Sequence, residues 1–442
     1  MSVTVPIRAL ADRRFLAALA ATLLLVATLP ARAPAAKRSV PRRPAAAKRG
    51  ARSSYPAENS HPRVAHARAR AATSRSASSR RQRRKKPRGP VLHGNALRGY
   101  RAFQAMQRYY YIPGSGLYAG EPFSYLWPFS TAVAATVSFA HVPALAHTFR
   151  KELNARLVGL QSYLDTDNAG APEGTYTSTL PAFDSTTAPP TGPGSTKYYD
   201  DNDWIGIEMV RAYELTHQPG PLGYAEGIMA FEMAGWQSNP ALPCPGGIPF
   251  SNDAENTDRN TVTTAPAAEL GLLLYRATHN PQYLQFALRA YEWVRTCLLL
   301  PSSLYGDHIR HGVVDPTTWS YNQGTMIGAG TLLYQETGNA EYLFQARQTA
   351  RAALEYFTPA RLYLEPPFFP AVYFRNLMYL DSVTHDPPRA KPAQEYVNYA
   401  WQYDRQANDL FVAGSPPTAQ LLVQASIAQI YALLATPVGT YF

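Results

Sequence analysis

Cysteine is nearly absent from this chain, with Cys244 and Cys297 the only two in 442 residues. One bridge at most is available, and the sequence leaves open whether it forms. Ligand spacing is also missing. The ten histidines show no His-Glu-x-x-His pattern, and Asp307-His308 with His311 reads as a polar loop, so neither a metal site nor a cofactor is expected. There is no phosphate-cradling Gly-x-x-x-x-Gly-Lys-Ser/Thr loop and no Gly-x-Ser-x-Gly nucleophile turn. No convincing run alternates apolar and polar residues as a half-buried strand would.

Net positive charge is missing from most of the chain. Residues 1–90 hold 22 Lys+Arg against Asp12 and Glu58, so the net charge of +11 comes from that segment and residues 91–442 are acidic on balance. A nucleic-acid cleft in the folded part is therefore disfavoured. Arg8, Arg13 and Arg14 precede the uncharged run Phe15 to Ala31, followed by the small residues of Ala31-Arg32-Ala33-Pro34-Ala35. This is the layout of an export signal cut after Ala35, or else of an N-terminal anchor; the run falls short of the ~20 residues of a comfortable spanning helix. Residues 36–90 have almost no large apolar side chain and are expected to be a disordered linker. Its run Arg80-Arg81-Gln82-Arg83-Arg84-Lys85-Lys86 suits adhesion to anionic membrane or wall polymers. The expected division is thus 1–35 signal or anchor, 36–90 linker and 91–442 folded domain, in a secreted or envelope-associated protein.

What the folded part does contain is helical pattern. Candidate helices fall near 95–109, 127–139, 144–164, 202–216, 222–237, 261–278, 281–298, 320–337, 340–357, 369–382, 393–406 and 418–435. A spaced pattern recurs three times, as Tyr213-Thr216-Leu222-Ala225, Tyr275-Thr278-Leu284-Ala287 and Tyr334-Thr337-Leu343-Ala346, at offsets of 62 and 59 residues. Each copy joins the end of one helix to the start of the next, so the unit is a helical hairpin. Twelve helices in six hairpins predict an all-α (α/α)6 barrel; an open solenoid of helix pairs is the alternative. Closure would gather the loops before the inner helices around one cleft.

The chemistry is concentrated in Lys197-Tyr198-Tyr199-Asp200-Asp201-Asn202-Asp203-Trp204. Two adjacent carboxylates among aromatic rings suit sugar chemistry: acids for proton and glycosyl transfer, ring faces for the apolar side of a pyranose. The same acids also suit capping of a helix start, where free N–H groups and the dipole favour negative charge. Trp127 could stack on a sugar or pack in the core, and Tyr321, Asn322, Gln323 and Asn260 beside Arg259 could bond sugar hydroxyls or cap loops.

Together with Tyr199-Asp200-Asp201-Asn202-x-Trp204, the motifs Cys244-Pro245-Gly246-Gly247-Ile248, Arg259-Asn260, Ser320-Tyr321-Asn322-Gln323-Gly324 and Phe369-Pro370-Ala371-Val372-Tyr373-Phe374-Arg375 resemble glycoside hydrolase family 76, the α-1,6-mannanases. The resemblance runs over about residues 95–436, with the motifs in family order. It implies the (α/α)6 fold and retaining, endo-acting cleavage of α-1,6-linked mannan, with Asp200 as nucleophile and Asp201 as acid/base. It also implies that Tyr199, Asn202, Trp204, Asn260, Tyr321, Asn322, Gln323, Trp127 and Arg375 bind a polysaccharide or oligosaccharide substrate. Pro370, Pro245 and Pro249-Phe250 depart from the family pattern at groove positions. A transglycosylase, a hydrolase of another α-linked wall glycan, or a non-catalytic glycan-binding wall protein are the alternatives.

Overall fold

The computed structural model describes residues 91–442 except 121, 167–179, 386–389 and 414–419. The expected signal or anchor and the basic linker lie outside the described residues.

Helix boundaries follow from short-range chemistry. Four long helices end on a residue in the left-handed region: His217 (φ 54°), His279 (φ 57°), Gly338 (φ 71°) and His385 (φ 53°). The repeated threonine sits at the last helical position of three of them. Thr216, Thr278 and Thr337 each donate to the carbonyl four residues back and accept the N–H two residues ahead. The next helix then starts on Pro219 or Pro281, or is capped by Asn280 or Asn339, whose Oδ1 accepts the amide two residues on. The Tyr-x-x-Thr repeat is therefore a hairpin hinge, with Ala225, Ala287 and Ala346 buried where the second helix packs on the first.

Inner helices are α2 (Leu126–Ala140), α4 (Tyr199–Thr216), α6 (Thr261–Thr278), α8 (Ser320–Thr337), α11 (Phe368–Thr384) and α13 (Leu421–Ala435). They are buried nearly all round. Each packs on the next, and α13 returns to α2, closing the ring. Outer helices α1 (Gly94–Tyr109), α3 (Ala146–Leu160), α5 (Pro219–Ala234), α7 (Pro281–Leu298), α9 (Ala340–Tyr356) and α12 (Ala390–Tyr399) cover them. The first described helix, α1, is an outer one and the last, α13, an inner one, and together they supply the sixth pair. Gln424 Nε2 donates to the Ala102 carbonyl at 2.8 Å across this junction, and Arg101 pairs with Asp409 at 2.9 Å.

Charge is buried inside the ring. Glu208 pairs with Arg211 at 2.6 Å and Arg375 at 2.9 Å, and Arg375 reaches Glu269 at 3.5 Å. Glycine is required at 328, where a Cβ would collide with Asn376 Oδ1 and Glu269 Oε1.

Several details depart from the sequence-based expectation. The helix expected from 202 starts at Tyr199, which places both aspartates inside its first turn. That expected at 393–406 ends at Tyr399 and continues as a π-helical turn, Ala400–Asp404. A short helix, α10 (Pro359–Leu362), was not foreseen. Nor were β1 (Leu164–Asp165) with β2 (Ala182–Phe183), or the antiparallel set β3 (Arg259–Asn260), β4 (His308–Arg310) and β5 (Val313–Val314). Strands of two or three residues are too short to show alternation. Cys244 and Cys297 form a disulfide, Cα–Cα 6.2 Å. Among the described residues no helix is long and apolar enough to cross a membrane.

Candidate active site

The start of α4 is held by backbone bonds rather than by its acids. Tyr198 precedes the helix in an extended conformation, and the Tyr199 amide donates to the Phe250 carbonyl at 3.1 Å. Asn202 Oδ1 accepts from the Phe183 amide at 2.8 Å, while Nδ2 donates to Phe183 O and Tyr198 O at 2.9 and 2.8 Å. Lys197 is buried and ion-paired to Asp165 at 2.5 Å and Asp184 at 3.5 Å. Burial lifts Asp184 to about 6 in spite of that lysine.

Tyr198, not an aspartate, occupies the N-cap, and Asp200 and Asp201 follow it in the first turn. Asp201 is 8% exposed and Asp200 is half-buried. Burial pushes the Asp200 carboxyl up to about 7, opposed by the amides of Asp201 and of Asp200 itself, which bond the charged form. Asp201 is driven well above the carboxylate range, first by burial and then by the charge of Asp200. Burial raises both carboxyls of the pair, and each charge disfavours the other, so the two titrate as one coupled unit.

Aromatic rings from the starts of other inner helices meet beside them. Trp127 of α2 stands edge-on to Phe368 of α11 at 5.7 Å and stacks near Phe369 at 6.4 Å. Trp204 meets Phe368 at 5.3 Å, and Tyr321 of α8 lies 3.9 Å from Phe369. The phenol of Tyr321 is pushed well up by burial and by the charges of Asp307, Asp200 and Glu365, which puts all three acids around it. Glu365 accepts from the Ser320 amide at 3.0 Å and from its hydroxyl, fastening α8 at its start.

The remaining expected site residues separate into two groups. Asn260 and Asn322 are buried at these helix starts with amide atoms that have no hydrogen-bond partner, Nδ2 in Asn260 and both Nδ2 and Oδ1 in Asn322. Such atoms call for a partner that the chain does not supply. Asn202, Gln323, Tyr199 and Arg375 are held within the protein. Gln323 bonds Tyr305 N, Tyr305 O and Trp319 O at 2.8, 3.0 and 3.0 Å. Tyr199 is buried, stacked on Phe231 at 4.4 Å. Arg375 is 2% exposed and its guanidinium is committed to Glu208 and Glu269, so it braces the ring interior.

Sequence reasoning missed four neighbours. Tyr163, whose hydroxyl pairs with Ser124 at 2.6 Å, feels the charge of Asp201. Asp307 faces Asp200 electrostatically, holds His308 at 2.9 Å and raises its pKa. Asp203 and Glu232 are fully buried with every carboxyl oxygen unpartnered, and burial plus the charge of Asp200 raises both well above their ordinary values. The three-residue step from Asp200 to Asp203 was a readable signal, since it stacks both on one helix face. Glu232, in an outer helix of mixed character, gave none. Among the described residues no group of three or more His, Cys, Asp or Glu is placed to hold a metal ion.

Comparison with known proteins places the chain. Mannan endo-1,6-alpha-mannosidase DCW1 of Candida glabrata is 24% identical over 191 residues, 39% of this chain and 42% of that protein, so the match spans less than half of either. Among solved structures, a family 76 mannosidase of Bacteroides thetaiotaomicron superposes with a TM-score of 0.67 at 22% identity, over 77% of this chain and 98% of that one. An inactive variant of an α-1,6-mannanase of Salegentibacter sp., with two consecutive aspartates replaced by asparagine and α-1,6-mannotriose bound, superposes with a TM-score of 0.62 at 19% identity, over 77% and 99% of the two chains. These structural likenesses establish the (α/α)6 fold. The profile of Glycosyl hydrolase family 76 matches residues 101–378, and on that match the chain is a member of glycoside hydrolase family 76.

Proposed function

We propose that this chain is an exported, retaining glycoside hydrolase that cuts within α-1,6-linked mannan, with Asp200 as nucleophile and Asp201 as acid/base. The observation that carries the reading is the adjacent acid pair in the first turn of α4, both carboxyls raised by burial and set beside Trp127, Trp204 and Tyr321. The inactive doubly substituted Salegentibacter mannanase, holding α-1,6-mannotriose, supports the same choice of residues and substrate.

Retention needs two carboxyl groups about 5–5.5 Å apart across the scissile bond. In the first step the Asp200 carboxylate attacks the anomeric carbon as the Asp201 carboxyl gives its proton to the departing glycosidic oxygen. A covalent glycosyl ester on Asp200 results. Asp201, now ionised, then takes a proton from water, whose oxygen attacks the same carbon and frees Asp200. Asp201, raised by burial and by the charge of Asp200, suits the acid of the first step, and the amides at the helix start suit an ionised Asp200. Asn260 and Asn322 are the polar groups we assign to sugar hydroxyls, and Trp127 the ring we assign to a pyranose face. The basic N-terminal segment would hold the enzyme to anionic membrane or wall polymers.

The deciding experiment follows the anomer first formed from linear α-1,6-mannan by NMR, using the full chain. An α product is expected; a β product excludes the double displacement, and no product excludes the substrate.

A further inference from the structure

Away from the acid pair, tyrosine rings form a graded stack at the end of α12. Tyr396 is its root, 3% exposed and packed on Phe374 at 5.7 Å. Tyr363, just after α10, stacks on Tyr396 at 4.9 Å and on Tyr399 at 4.2 Å. Tyr399 in turn meets Tyr403 at 4.7 Å. Exposure climbs outward, to 41% at Tyr399 and 63% at Tyr403. The stack is therefore rigid at its base and open at its tip. Between the two outer rings the backbone passes into the π-helical turn Ala400–Asp404, a distortion that occurs frequently at functional sites.

Placement connects the stack to the cleft. Outer helices run antiparallel to the inner ones they follow, so the C-terminal end of α12 lies at the end of the ring where α8 and α11 begin. The segment from Tyr363 to Phe369 is continuous between the two regions. It carries Tyr363 in the stack, Glu365 bonded to Ser320, and Phe369 against Tyr321. The charges bearing on Tyr363 besides Tyr399 are those of Asp404 and Glu395. Glu395 is paired with Lys391 at 3.7 Å, and a neutral polyol offers C–H faces to the rings and hydroxyls to Asp404.

We propose that Tyr399 and Tyr403 form a distal subsite for a neutral glycan, gripping a stretch of the polymer whose scissile bond lies at Asp200. This rests on the mannan reading above. A rim subsite matters only for a substrate long enough to reach it, so polymer and short oligosaccharide should respond differently.

The test compares the full chain with Tyr403→Ala, Tyr403→Phe and Tyr399→Ala/Tyr403→Ala on linear α-1,6-mannan and on α-1,6-mannotetraose. Expected is a fall of about fivefold or more in kcat/KM on the polymer, carried by KM, in both alanine variants. The tetrasaccharide should change less than twofold, and Tyr403→Phe should keep polymer activity. A parallel arm measures retardation of the Asp200→Asn/Asp201→Asn chain in gels containing the mannan; adding Tyr403→Ala should release it. Equal effects on both substrates, no effect on either, or no retardation overturns the subsite. An unmutated chain inactive on both substrates sinks the hydrolase reading instead, and the gel arm still decides the subsite.

Discussion

At the scale of single residues, burial sets the protonation of this site, and pH exposes it. In the proposed mechanism Asp200 is ionised to attack, and its pKa is lifted to about 7, so the acid limb of kcat/KM should lie near neutrality. An ordinary carboxyl would place it near pH 4. As the proposed acid Asp201 holds its proton, and its upward shift moves the alkaline limb up as well. A rate profile on mannan with its acid limb near pH 4 refutes this assignment. Asp200→Asn and Asp201→Asn should each lower kcat by about a thousandfold or more while melting no lower than the parent. Asp203 and Glu232 make a separate prediction. Both carboxyls bind a proton more tightly folded than unfolded, so the unfolded chain releases it first as pH rises. Their contribution to stability is greatest below the unfolded carboxyl range and is lost up to the folded value. Glu232→Gln removes that loss, so calorimetry should show a gain in Tm, about 2 °C or more, at pH 8 and little at pH 4.

At the scale of elements, the loop from Pro243 to Arg259 is the piece most dependent on a few fastenings. The Cys244–Cys297 bridge ties it to α7, and Trp293 Nε1 donates to the Cys244 carbonyl at 3.1 Å. Arg259 donates to the carbonyls of Pro243, Cys244 and Gly246 at 2.7, 2.5 and 3.1 Å. Gly246 (φ 114°) and Gly247 (φ 80°) lie against Trp293 with no room for a Cβ. Asn260 follows directly, so this loop decides where its amide points. Cys244→Ser/Cys297→Ser should cost about 2–4 kcal/mol in urea unfolding. Arg259→Ala should also raise KM for mannan, because three carbonyls lose their donor next to Asn260. An unchanged KM would separate the loop from the site. Much of this was legible in advance: the Tyr-x-x-Thr hinge gave the hairpins, and the Asp pair stood out by its aromatic setting. What the sequence hid was long-range. Asn202 and Gln323 resemble sugar-binding amides, yet Phe183 and Tyr305, distant in sequence, take up their hydrogen bonds. Arg375 carries its charge into a motif that reads as a groove, but the partners that claim it, Glu208 and Glu269, come from two other helices.

At the scale of the whole molecule, what separates a closed ring from a row of helix pairs is how the chain ends behave. In an open array each pair touches only its neighbours, so a lesion in the first helix stays local. Here α1 covers α13, and Phe103 sits among Phe139 of α2 and Phe149 of α3 at 5.7 and 4.6 Å. The junction that completes the ring therefore depends on the first described helix, although the acids lie on α4. Phe103→Ala should cost about 3–5 kcal/mol, and the loss should be global. Far-ultraviolet circular dichroism, tryptophan fluorescence and residual mannan hydrolysis should fall together in one transition. Hydrogen exchange should show α13 and α4 opening with the same free energy. If α1 instead exchanges early while activity persists and α4 stays protected, the ends are not coupled through the ring, and the site owes its geometry to the hairpins around α4 alone.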